Sequence, residues 1–127
     1  MEKKEEKIYY NKLCRDKVPE IIKNKGFECD VRVADHDEYK REIVRKVLEE
    51  ATGVSNHSDH DRLLKELADL SITIDAVMKE FDISDDELKK YVEASIEKKG
   101  GYDARYYLSW SADTEYSSHD HGQSLDD

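Results

Sequence analysis

The chain lacks any run of roughly 18 apolar residues, the length a membrane-spanning helix needs. Its Met-Glu-Lys-Lys-Glu-Glu-Lys start is followed by no apolar secretion segment, so a cytoplasmic protein without a membrane partner is expected. Cysteine is scarce as well. Cys14 and Cys29 stand without Cys-x-x-Cys spacing, which points to two reduced thiols and away from a disulfide framework or a thiolate metal site. Basic charge is outweighed: 21 Lys and Arg face 31 Asp and Glu, for a net charge of −10. Residues 109–127 hold five acids and no Lys or Arg, which leaves −5 on the tail and −5 on the rest. A binder of nucleic-acid backbone normally shows a basic surface, so no nucleic-acid polymer is expected as a partner. No internal repeat is found.

What remains is one domain of 127 residues, 37% hydrophobic against 41% charged. That apolar share is thin for a monomer of this length, and a homodimer or tetramer that buries further surface is the expectation. Residues 1–7 are all charged after Met1 and read as a flexible leader, 8–110 as the folded domain, and 111–127 as an acidic flexible tail.

Pro19 suits the first turn of a short helix through Ile21 and Ile22, stopped by Asn24-Lys25-Gly26. Residues 28–33 alternate Cys29, Val31 and Val33 with Glu28, Asp30 and Arg32, the period of a half-buried strand. The aromatic stretch Tyr102 to Leu108 is its expected partner in a small β-hairpin. Asp35 and Glu38 have capping-box spacing, so a helix with Tyr39, Ile43, Val47 and Leu48 inward is predicted to about Ala51. Thr52 to Asp59 reads as a turn. A long helix then runs from Asp59 or His60 to Phe81 on the stripe Leu63, Leu67, Leu70, Ile74, Val77 and Phe81. Ser84 and Glu87 open another helix, which Gly100-Gly101 stops at Lys99. The order is all-α: an antiparallel helical bundle with a short N-terminal helix and a small hairpin.

Two acidic clusters stand out, Glu49-Glu50 and Glu66-Leu67-Ala68-Asp69. Residues three apart share a helix face, so Glu66 and Asp69 can aim two carboxylates at one point, the way a helix pair holds Mg²⁺. Val47, Leu48, Leu63, Leu64, Leu67 and Leu70 accompany them, so this acidic face borders a core. In a chain this charged, the bland account is a solvated face, with Arg62, Lys65 and Thr73 as local partners of Glu66 and Asp69.

The run Tyr10-Asn11-Lys12-Leu13-Cys14-Arg15-Asp16-Lys17-Val18-Pro19-Glu20-Ile21-Ile22 resembles the N-terminal signature of phosphoribosyl-ATP pyrophosphohydrolase-like proteins, within the all-α MazG-like nucleoside triphosphate pyrophosphohydrolases. The resemblance continues through Leu48-Glu49-Glu50, Glu66-Leu67-Ala68-Asp69, Ile74-Asp75-Ala76 and Lys98-Lys99-Gly100-Gly101-Tyr102, and covers roughly residues 8–108. It implies a helical bundle completed by a second copy, and a Mg²⁺ site, with Mn²⁺ as an alternative ion, between two antiparallel helices. The implied activity cleaves a nucleoside triphosphate, or a related nucleotide, to the monophosphate and pyrophosphate.

On that resemblance Glu50, Glu66 and Asp69 hold the metal, and Glu49 or Glu50 orients the attacking water. Asn11, Lys12, Arg15 and Lys17 contact phosphates, as do Lys98 and Arg105 from the C-terminal side. The alternatives for these basic residues are a mixed-charge loop and lysines that offset a helix dipole. The family's motif has a third Glu after the first pair, and Gly53 stands in its place. Gly53 is therefore expected to remove one ligand and to end the helix early, with Asp59 or Asp61 as substitute donors. A catalytically impaired, nucleotide-binding relative is the rival expectation, and a helical interaction module without any ligand is a third. His57, His60, His119 and His121 have ligand-like spacings but are read as solvated.

Overall fold

A computed structural model of the protein describes residues 6–115. The tail's residues 116–127, with His119 and His121, and residues 1–5 of the leader lie outside that range. Backbone packing divides the chain into two units, Met1–Leu88 and Lys89–Asp127. Four helices are formed, α1 (Val18–Asn24), α2 (His36–Ser55), α3 (His60–Glu80) and α4 (Asp85–Lys99), and the described residues contain no strand.

Helix α1 begins with Pro19 in its first turn, where the missing N–H costs nothing, and Gly26 follows it at φ 89°. Asp35 caps α2 by accepting the Glu38 amide at 2.9 Å, but Glu38 does not complete the capping box. Its carboxylate instead takes a two-bonded fork from Arg32, at 2.6 and 2.7 Å. Helix α3 starts in the same manner, with Asp59 accepting from the Arg62 amide at 2.8 Å. It ends in a Schellman arrangement: Asp82 adopts φ 54° and the Ile83 amide reaches back to the Met78 carbonyl at 2.8 Å. Helix α4 opens on a full capping box, Ser84 Oγ accepting from the Glu87 amide and the Glu87 carboxylate from the Ser84 amide. Gly100, at φ 76°, follows its last turn.

Helices α2 and α3 pack against each other along their lengths. Their pairing is antiparallel, because His36 at the start of α2 lies 3.5 Å from Glu80 at the end of α3, while Glu50 near the end of α2 meets Glu66 and Asp69 in the first turns of α3. The seam is lightly apolar. Among the described residues, only Ile43 and Met78 are hydrophobic and buried, while Leu48, Leu64 and Leu67 remain 73%, 59% and 45% exposed.

Two expectations are corrected. Helix α2 does not stop near Ala51 but runs through Gly53 to Ser55, because a glycine inside a helix costs only about 1 kcal/mol and breaks nothing unless the backbone turns left-handed. The hairpin does not form. Residues 27–35 and 104–111 have no regular structure, and Val33, Tyr102, Tyr106 and Tyr107 are all more than nine-tenths exposed. Alternation marks a strand only when a second strand and a core face reward it.

Candidate metal centre

The antiparallel pairing brings Glu50 from α2 against Glu66 and Asp69 from α3. One carboxylate oxygen of each lies within 4.8 Å of the other two. The i, i+3 spacing of Glu66 and Asp69 sets both on the α3 face that meets α2, and Glu50 is supplied from across the seam. Glu66 is only 8% exposed, and Glu50 and Asp69 are half-buried.

The three carboxylates have different partners. Arg62, one turn earlier on α3, forms an ion pair with Glu66, its guanidinium 2.8 Å from Oε1. Arg15 approaches Asp69 Oδ1 at 3.6 Å from the N-terminal segment. No basic side chain pairs with Glu50 among the described residues. Burial, followed by the negative charge of Asp69, pushes the Glu50 carboxyl above its ordinary range; Glu49 and Glu66 add to the effect and Lys46 partly offsets it.

Glu49 is the opposite case. Lys12 bonds its Oε1 and Lys46 its Oε2, the latter at 2.7 Å. The Lys12 bond, followed by that of Lys46, holds the Glu49 carboxyl below its ordinary range. Lys46 also donates to the Leu13 carbonyl at 2.9 Å, so it ties the N-terminal segment to α2 from a largely buried position. Lys46 was not anticipated as part of the site. Its i, i+3 relation to Glu49 is visible in the sequence, but its bond to a backbone carbonyl 33 residues away is not. An open cleft of about 540 Å³ runs between the N-terminal segment and α2, with Tyr10, Lys12, Leu13, Lys46 and Glu49 in its walls; Glu50, Glu66 and Asp69 do not line it.

The other expected residues distribute unevenly. Asn11 lines the same cleft with a left-handed backbone, φ 48°. Lys17 is the exposed residue preceding α1 and makes no side-chain bond there. Lys98 and Arg105 fall in the second unit, Lys98 in the last turn of α4 and Arg105 in a turn at φ 57°. Asp59 and Asp61 do not join the three carboxylates: Asp59 caps α3, and Asp61 pairs with Lys65 at 3.1 Å.

Gly53 lies on α2 directly against Glu66. A Cβ placed on Gly53 would stand 3.0 Å from Glu66 Cδ and 3.6 Å from Oε1, and closer still to Oε2.

No family model, curated protein or solved structure matches this chain. The described residues contain no helix long and apolar enough to cross a membrane. The three-carboxylate cluster could hold a metal ion, and the donor set suits a hard cation, since it offers oxygen with neither imidazole nor thiolate.

Proposed function

We propose that the protein is a Mg²⁺-dependent nucleotide pyrophosphohydrolase, with Mn²⁺ as a substitute ion. The observation that carries this reading is the convergence of Glu50, Glu66 and Asp69, with Glu50 left without a basic partner and its carboxyl pushed up. A half-buried carboxylate in that state is relieved by a cation. Three carboxylate oxygens fill half of an octahedral shell, and the rest suits water and substrate phosphates. The resemblance of residues 8–108 to MazG-like enzymes supports the same chemistry.

When bound, the ion would supply charge stabilisation at the phosphoryl oxygens and the departing pyrophosphate. The protein's own groups account for the remaining steps. Lys12 and Arg15 lie beside the acidic cluster and can donate charge-assisted hydrogen bonds to the phosphate chain. Water adds to the α-phosphorus, the bond to the bridging oxygen breaks, and pyrophosphate leaves with that oxygen. Glu50 is better suited than Glu49 to take the water's proton, because both oxygens of Glu49 are engaged by lysines and its proton affinity is lowered.

The same reading includes a second copy of the chain. Leu48, Leu64 and Leu67 leave apolar surface on α2 and α3 that the pair cannot cover, and only two hydrophobic side chains are buried among the described residues. A helix pair with so small a core gains most by packing against another.

The alternative reading is a nucleotide-binding relative that does not hydrolyse. Arg62 on Glu66 and Arg15 on Asp69 favour it, since they already offset two of the three carboxylates. Pyrophosphate release from a panel of nucleoside triphosphates, with Mg²⁺ or Mn²⁺, decides between the two. Release by the wild type that is lost in Glu66→Ala supports the enzyme. Nucleotide-dependent thermal stabilisation without release supports the relative.

A further inference from the structure

We propose that Gly53 is a positioning residue for the cation site: its missing side chain makes the seat on α2 in which the Glu66 carboxylate rests. This rests on the reading of Glu50, Glu66 and Asp69 as cation ligands and deepens it.

Nothing in the backbone at residue 53 asks for glycine. The residue lies inside α2 and its φ is not positive. In that setting alanine is the better helix former, so glycine is a cost unless a neighbour needs the space. Glu66 does. Its Cδ would lie 3.0 Å from a Cβ at position 53, and Oε2 would overlap it.

The carboxylate can yield to a Cβ only by turning, since its side chain is 11% exposed and the guanidinium of the largely exposed Arg62 lies 2.8 Å from Oε1 on the α3 side. Arg62 and Gly53 thus confine Glu66 from two directions, and in that confined position one of its oxygens comes within 4.8 Å of donors on both Glu50 and Asp69. Any side chain at 53 turns the carboxylate out of that position.

Gly53 is therefore more than a lost ligand of the family motif. Without a side chain, position 53 adds no fourth carboxylate, so the mutual repulsion of the cluster stays lower than a glutamate there would make it. Gly53→Glu would then displace one ligand while adding another.

The test is Mn²⁺ binding to the full chain, read by electron paramagnetic resonance of the free ion, together with thermal melting of the ion-free protein. In Gly53→Ala, Mn²⁺ affinity is expected to fall about tenfold or more, while the melting temperature holds or rises through helix propensity. With Glu66 already replaced by alanine, Gly53→Ala should change neither the residual affinity nor melting beyond its propensity gain, because it acts through Glu66. A melting loss in Gly53→Ala that vanishes in the Glu66→Ala background reports the same collision and supports the proposal only together with the fall in Mn²⁺ affinity. Wild-type affinity retained in Gly53→Ala overturns it, as does a loss that persists undiminished without Glu66. A wild type that binds no Mn²⁺ overturns the cation reading and this inference with it, whereas binding unaffected by Gly53→Ala overturns the inference alone.

Discussion

Lys12 and Glu49 are 37 residues apart in the chain and bonded side chain to side chain. With Lys46 on the other carboxylate oxygen and on the Leu13 carbonyl, the pair fastens the N-terminal segment along α2. Glu49 is thereby an anchor for two lysines, and the neighbouring Glu50 has no basic partner among the described residues.

Removing the anchor should loosen the segment without emptying the cation site. Lys12 and Glu49 are each about two-fifths exposed, so their pair contributes under about 1 kcal/mol. We expect Glu49→Gln to speed amide exchange across residues 10–15 several-fold and to leave Mn²⁺ affinity within about threefold of wild type. Hydrogen exchange by mass spectrometry, paired with the metal titration, checks both halves.

Glu50 should behave in the reverse way. Its carboxyl is raised in the folded protein, so the folded state holds that proton more firmly than the unfolded chain does. Its contribution to stability is present at low pH and is lost as pH rises through the raised value, which makes ionised Glu50 destabilising at neutral pH. In the absence of divalent ions, Glu50→Gln is expected to melt a few degrees above wild type at pH 7. That advantage should shrink as pH falls into the ordinary carboxylate range. With Mg²⁺ added the order should reverse, since the wild type gains more from the ion than the weaker-binding variant. Melting curves at two pH values, with and without Mg²⁺, test the sign.

Leu67 is nearly half exposed on α3, in the middle of the Glu66 to Asp69 segment. If a second copy covers this face, Leu67→Glu places a charge in the interface and forfeits about 1 kcal/mol of burial per chain, since only the exposed 45% of Leu67 is left to bury. Association should weaken at least tenfold. Sedimentation velocity over a range of concentrations measures it, and a wild type that sediments as a monomer throughout would remove the second copy from the account.

Much of this architecture is written locally. Asp35, Asp59 and Ser84 each begin a helix where their side chains suggest, and Pro19 and Gly100 bracket the series, because caps and breakers act through neighbouring backbone groups. The convergence of Glu66 and Asp69 follows from helical period, and an antiparallel turn of a few residues is enough to bring Glu50 to them.

Long-range facts were not legible. Gly53 looks like a stop in one dimension; in three it is a place where another helix's carboxylate needs room. The alternation at residues 28–33 satisfied a pattern, yet a strand also needs a neighbour, and the pattern is silent on that. Lys46 resembles any helical lysine until the Leu13 carbonyl is placed beside it.

The most direct measurement is titration of ion-free protein with Mn²⁺, wild type against Glu66→Ala and Glu50→Gln. We expect one saturable site per chain in the wild type, weakened at least tenfold by either substitution. No saturable binding, or a site that both variants keep intact, would contradict the assignment of these carboxylates to a metal.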